Sequence, residues 1–195
     1  MEAQRRPGGR SARVRDAVRT ATLVELVAHG YQGLTVENVA KRSGVHKTTV
    51  YRRWSSPEGL IADALELAAT EPWPVPDTGS VDADLHAITQ LVRTGFADPE
   101  AGPVATAFIA AAMQNPAAAS ALNAFFTGRL HQSAEVIRRA VARGELSADV
   151  DAEAVIRCAI APIYYRLFIS HEPATAADVA AAARAALAAA RAGAL

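Results

Sequence analysis

Residues 41–54 read "KRSGVHKTTVYRRW", a stretch with five Lys or Arg and no Asp or Glu in a chain of 195 residues whose formal net charge is zero. Just upstream, Thr35 reads as an N-cap with Glu37 in the first turn, where a carboxylate complements the helix dipole. A helix is therefore predicted over residues 36–42. Gly44 breaks it, and a second helical segment resumes at His46 and continues to Trp54. A short helix, a tight glycine-containing turn and a second helix form the helix-turn-helix arrangement. On the second helix Val50 and Trp54 lie four residues apart and pack inward. Lys47, Thr48, Tyr51, Arg52 and Arg53 are left for the outer surface. That surface suits the major groove of duplex DNA, which admits one helix, offers base-edge acceptors to Lys, Arg and Thr, and is flanked by phosphates. A helical hairpin with a solvated basic face would carry the same residues, so the pattern alone leaves both readings open.

Moving towards the N-terminus, Val14, Val18, Ala21, Leu23, Leu26 and Val27 recur at three- and four-residue steps, which predicts a helix over 13–29 with one buried face. Gly30 ends it as a C-cap. Residues 1–12 form a basic arm with Arg5, Arg6 and Arg10, to which Arg13 adds; it is expected to be flexible. No apolar segment follows this basic start, so it does not read as a secretion signal. Every apolar run is interrupted by Arg, His, Asp or Glu, so no membrane span is expected and residence in the cytoplasm is. The charge is divided along the chain: residues 1–55 hold eleven Lys or Arg and four Asp or Glu, and residues 56–195 hold nine and sixteen. Such asymmetry hints at a nucleic-acid-binding end joined to a different module.

In the other direction, Ser56 caps and Pro57 opens a connecting helix over 56–70 with Leu60, Ala64 and Leu67 on one stripe. "EPWPVPDTGS", residues 71–80, cannot continue it and reads as a Pro-rich linker, with Trp73 as an anchor. Beyond it, residues 81–195 are helical throughout. Pro116 opens a helix expected to last until Gly144, Pro162 is expected to kink the helix that begins at Asp151, and Thr175 with Asp178 predicts a capping box before the last helix. The predicted fold class is all-α with about nine helices: a three-helix DNA-binding domain at 13–55, the connecting helix, the linker, and a larger helical domain.

The segment "VRDAVRTATLVELVAHGYQGLTVENVAKRSGVHKTTVYRRWSSPEGL" resembles the DNA-binding region of TetR-type transcriptional regulators over about fifty residues, with the Gly30-Tyr31 pair, "LTVENVA", Gly44-Val45 and "KTTVYRRW" in the same order and spacing. Carried over residue by residue, the resemblance implies that Lys47, Thr48 and Arg52 meet base edges. It assigns Thr35, Thr49, Tyr51 and Arg53 to phosphates. Two positions depart from the family pattern. His46 stands where a small hydroxyl usually caps the recognition helix, and Pro57 stands where a phosphate-binding Lys is often found. The resemblance further implies a homodimer built on the last two helices, residues 152–170 and 176–192, a palindromic double-stranded DNA operator, and an unidentified small-molecule effector. Reading a palindrome with a dyad-related pair independently motivates the dimer.

Candidate pocket residues in the larger domain are Phe96, Phe108, Met113, Phe125, Phe126, Tyr164 and Tyr165, with Gln114, His131 and Arg166 as polar orienting groups. For any single aromatic, ordinary core packing competes with that role. Cys158, the only cysteine, reads as core rather than as a redox sensor, and it excludes an internal disulfide. Asp82, Asp84 and His86 do not converge as a metal site on one helix face. No nucleophile–base constellation, metal cluster or glycine-rich phosphate loop is present in the pattern, so no cofactor and no enzyme activity are expected. The leading expectation is a ligand-responsive repressor; a ligand-independent DNA-binding regulator or an activator is the alternative.

Overall fold

The structure, a computed structural model, describes residues 9–195, apart from the side chain of Arg10. Most of the expected basic arm, with Arg5, Arg6 and the Arg10 side chain, lies outside the described residues, and from Gly9 onward the chain is already helical. The described residues hold no strand. Their α-helices are α1 (Gly9–Gly33, interrupted at the non-helical Gly30, φ 66° and ψ −177°), α2 (Val36–Ser43), α3 (Lys47–Trp54), α4 (Pro57–Ala69), α5 (Val81–Ala97), α6 (Ala101–Ala112), α7 (Pro116–Ser133), α8 (Glu135–Ala142), α9 (Ala152–Tyr165) and α10 (Ala176–Arg191). The all-α class expected from the sequence is what the chain adopts. The single helix expected from Pro116 to Gly144 is divided at Ala134 into α7 and α8. No Gly or Pro marks that break, so helical periodicity runs through it unaltered.

By contact the chain forms two units, one holding residues up to 71 together with 103–125, the other holding 72–102 together with 126–195. Residues 103–125 therefore belong with the N-terminal helices and not with the continuous stretch that starts at 81. The physical reason is apolar burial: Phe108, Ala111 and Ala118 share a core with Val18, Leu26, Val39, Val50, Trp54, Leu60 and Ile61. Each fully buried Val, Leu or Ile side chain contributes on the order of 1.5–3 kcal/mol by removal from water.

Within this first unit, local chemistry sets the helix boundaries. The Thr35 hydroxyl accepts from the Asn38 N–H and caps α2, and Gly44, at φ 68° and ψ 8°, ends it in the left-handed conformation that glycine adopts without a Cβ penalty. Ser56 caps α4 by accepting from the Gly59 N–H, with Pro57 in the first turn. A Cβ on Gly59 would sit 2.0 Å from the Trp54 carbonyl oxygen, so only glycine lets α4 start this close to the end of α3. Glu25, buried within α1, is paired with the Arg42 guanidinium of α2 and lies 3.6 Å from the His29 imidazole. Arg15 bridges from α1 to Asp63 at 2.9 Å and Glu66 at 3.0 Å on α4.

The second unit is built around α5, α8, α9 and α10, with Val81, Leu85, Ile88, Ile137, Ile156 and Leu187 in its core. Small residues Ala183, Ala186 and Ala190 of α10 are buried in the same core, which is how an alanine-rich helix packs closely. The Pro-rich stretch is tied down by polar contacts. The Trp73 indole N–H donates to Ser133 Oγ at 2.9 Å, and Arg139 donates to the Pro76 carbonyl. The Thr78 N–H and hydroxyl donate to the buried Asp84 carboxylate at 2.7 and 2.8 Å. Helix α9 continues through Pro162 as far as Tyr165, and the departure from α geometry comes next, as a π turn over Arg166–Ser170. Thr175 and Asp178 form the expected capping box: Asp178 N–H donates to the Thr175 hydroxyl at 3.2 Å, and Thr175 N–H donates to the Asp178 carboxylate at 2.8 Å.

Candidate DNA interface and effector residues

Helix α3 is held by two buried anchors, Val50 and Trp54, on the face turned into the first unit's core. Because the anchors are four residues apart, the opposite face is presented to solvent, and Lys47, Thr48, Tyr51, Arg52 and Arg53 are all exposed there. Thr49 is half-buried and, with Arg52, Arg53, Ser11 and Val14, lines an open groove between the start of α1 and α3. Arg53 donates to Ser11 Oγ across that groove at 3.2 Å. Thr35 is half-buried, its hydroxyl engaged as the α2 cap. His46 occupies the N-cap of α3 but makes no capping bond; its Nδ1 lies 2.9 Å from Thr48 Oγ1. The first N–H groups of the recognition helix are therefore not capped by the His46 side chain, a consequence of the imidazole standing in place of a small hydroxyl.

One residue of this surface was expected only as a first-turn carboxylate complementing the α2 dipole, not as part of the surface. Glu37, in the first turn of α2, accepts from the Tyr51 hydroxyl at 2.5 Å and lies 2.9 Å from the Lys47 ammonium. The Lys47 ammonium also sits 5.5 Å from the centre of the Tyr51 ring. The Tyr51 hydrogen bond first, then Lys47, hold the Glu37 carboxyl down to about 2, so it is ionised throughout the working pH range. The signal available in the sequence was an acidic residue in the helix next to a basic one; which of its faces met α3 was not readable.

The nine candidate effector residues are distributed over both units. Phe108 is buried in the first unit's core and Phe125 packs against it, while Met113, at 84% exposure, stands in solvent. In the second unit Phe96 contacts Tyr164 edge-to-face at a centroid distance of 5.4 Å, and Phe126 does so at 6.0 Å. Phe168, on the π turn, completes the group at 5.1 Å from Phe96 and 6.1 Å from Tyr164. Its spacing of four from Tyr164 was the available clue. Burial pushes the Tyr164 phenol up to about 12, so it remains protonated. The remaining three residues point elsewhere. His131 Nδ1 lies 3.2 Å from Glu153, Tyr165 is exposed, and Arg166 pairs with Glu172 at 2.9 Å and Asp178 at 3.2 Å. Gln114, also named as a polar candidate, accepts from Gln32 at 3.2 Å in the first unit.

Among the described residues no helix is long and apolar enough to cross a membrane, and no group of three or more His, Cys, Asp or Glu side chains converges as a metal site. Asp82 pairs with Arg191 at 2.9 Å, and Asp84 is taken up by Thr78.

A helix-turn-helix with buried anchors and a cationic outer face, on an all-α chain with a second helical unit, defines a DNA-binding regulator architecture. Residues 19–64 match the bacterial regulatory proteins of the tetR family, and residues 75–186 match the tetracyclin repressor-like C-terminal domain. The chain is 34% identical over 157 residues to the HTH-type transcriptional regulator YdeS of Bacillus subtilis (strain 168), covering 79% of this chain and 78% of that protein. It is 32% identical over 147 residues to the HTH-type transcriptional regulator AqdR of Rhodococcus erythropolis, covering 75% and 70%. The crystal structure of the TetR family transcription regulator SCO0332 superposes with a TM-score of 0.68 at 31% identity, over 90% of this chain and 97% of that one. The chain belongs to the TetR family of transcriptional regulators. All three of these relatives are named as transcriptional regulators.

Proposed function

We propose that the protein is a homodimeric repressor that binds a palindromic operator through α3 and is released from it by a small molecule held in the second unit. The observation that carries this reading is the two-sided α3, with Val50 and Trp54 buried and Lys47, Thr48, Tyr51, Arg52 and Arg53 exposed together. In this reading Lys47, Thr48 and Arg52 reach base edges, and Thr35, Thr49, Tyr51 and Arg53 fix the phosphate backbone. The groove shared by Thr49, Arg52, Arg53 and Ser11 gives one strand's phosphates a cationic seat.

Dimerisation follows the last two helices. Ala161 of α9 and Ala181, Ala185 and Ala188 of α10 are exposed, and side chains this small allow helices of two subunits to approach closely, with the exposed Tyr165 of α9 adding apolar surface. Effector binding is assigned to the aromatic group of Phe96, Phe126, Tyr164 and Phe168, an apolar wall bearing one phenol. The ligand weakens DNA binding by altering the separation of the two recognition helices, a change carried by α4; half-sites lie about 35 Å apart or a multiple of it. The protein acts in the cytoplasm, where chromosomal operators are.

Fluorescence anisotropy with duplex DNA flanking the protein's own gene, a scrambled control and two salt concentrations tests the reading. Selective binding that weakens steeply with salt supports it. A thermal-shift screen of metabolites on the same protein identifies the effector, because a ligand that binds the native state raises its stability by mass action.

A further inference from the structure

Lys47 and Tyr51 are not free in the isolated protein. The Tyr51 hydroxyl donates to Glu37 at 2.5 Å, and the Lys47 ammonium stands 2.9 Å from the same carboxylate oxygen. Glu37 is firmly placed to do this. The Thr35 cap starts α2, Val36 and Val39 bury its inner face, and Glu37 therefore falls in the first turn, where the helix dipole favours a negative charge. Glu37, Lys47 and Tyr51 are nevertheless at the surface, with Glu37 48% and Lys47 57% exposed on their side chains. Among the described residues Arg52, on the same helix, has no such acidic partner within ion-pair distance.

We propose that Glu37 is a further determinant of DNA affinity, an internal anion that holds in the free protein the same ammonium and hydroxyl that DNA takes in the complex. This rests on the reading above, in which Lys47 and Tyr51 meet DNA. Binding is then an exchange: a phosphate or base edge replaces a carboxylate, and the displaced Glu37 is left facing a polyanion. An exchange of partners yields less net affinity than the contacts alone suggest, and the loss applies to every DNA sequence. Glu37 also reduces the salt dependence, because the carboxylate gathers a cation when Lys47 leaves it, offsetting part of the counterion release at the DNA.

Glu37→Gln is the test, since it keeps the shape and a hydrogen-bond acceptor for Tyr51 while removing the charge. The probes are a mixed-sequence 30-bp duplex and a duplex enriched from a randomised pool by the wild-type protein. Affinity is expected to rise about tenfold on both, with the log–log salt slope steeper by up to about 1 per subunit. In a Lys47→Met, Tyr51→Phe background the same substitution is expected to gain no more than about twofold, because nothing remains for the carboxylate to occupy. Unchanged affinity, or a loss of affinity in the single variant, overturns the inference, as does a full tenfold gain in the double background, which would assign the effect to the general field of the charge. Wild-type protein that binds neither duplex with salt dependence overturns the DNA-contact reading itself, and the inference with it. Spectroscopic titration of the tyrosines gives a second readout without DNA. The Tyr51 phenol, raised by its bond to Glu37, is expected to ionise closer to the ordinary 10 in Glu37→Gln, and an unmoved phenol overturns the contact.

Discussion

The side-chain amide of Asn115 donates to the Tyr31 hydroxyl across 2.6 Å, joining the turn between α6 and α7 to the end of α1. The same amide lies 3.1 Å from the Glu58 carboxylate of α4, to which Tyr31 also donates. The Asn115 carbonyl oxygen accepts from the N–H groups of Ala117 and Ala118 and so caps α7. Asn115→Ala removes a cap and an interhelical bond at once. Loss of a cap of this kind costs about 0.5–2 kcal/mol and a neutral hydrogen bond about 1 kcal/mol. We expect a lower urea midpoint at unchanged m-value, and a Tyr31→Phe substitution that is non-additive with it in a double-mutant cycle.

Gly59 has no room for a methyl group, because the Trp54 carbonyl oxygen would lie 2.0 Å from it. The obstacle is backbone, so it cannot swing aside. Gly59→Ala must therefore push α4 away from the end of α3, and overpacking of this order costs about 1–3 kcal/mol. Operator affinity should fall with stability, since the carbonyl that must move belongs to the residue that anchors α3. Chemical denaturation and anisotropy on the same preparation check both parts.

Asp178 titrates below its ordinary value of 3.8, chiefly because its carboxylate accepts from the Thr175 hydroxyl, then from the Thr175 N–H, with Arg166 adding attraction. A folded-state pKa that is depressed stabilises the protein above the unfolded value, and that stabilisation is lost as pH falls through the folded pKa. Asp178→Asn cannot titrate. The melting-temperature difference between wild type and variant should therefore be widest near neutrality and shrink as pH falls below about 4. A difference that is constant with pH would show that the capping box contributes no ionised-state stability.

Arg52 and Tyr51 should separate by kind of effect. Arg52→Ala is expected to cost about 1–3 kcal/mol on the selected operator and to relax discrimination among sequences, as removal of a base-edge contact does. Tyr51→Phe should weaken all duplexes alike, as loss of a phosphate contact does. With about four phosphates neutralised per subunit, the wild-type dimer should show a log–log salt slope of roughly −7. Competition binding at two salt concentrations measures all three.

Ala181 is exposed on α10, so Ala181→Arg places a charged side chain on the proposed dimer face without disturbing the core of its own chain. Sedimentation should show a monomer, and operator affinity should fall by at least about tenfold because one small helix-turn-helix reads few bases. A variant that remains dimeric would place the interface elsewhere.

The reading head was legible in the sequence because its determinants are local. The Thr35 cap, the left-handed Gly44, the Ser56–Pro57 start and the Thr175–Asp178 box act within a turn or two of chain, and all have the expected geometry. The four-residue spacing of Val50 and Trp54 likewise determined which face of α3 was buried and which was presented. Tertiary packing decided the rest. The break at Ala134, the gathering of 103–125 into the first unit's core, and the meeting of Glu37 with Lys47 and Tyr51 all depend on which surfaces of distant helices face each other. Helical periodicity and capping specify where a helix lies and which side is apolar; only the packing of one apolar side against another sets the partners of its polar edge.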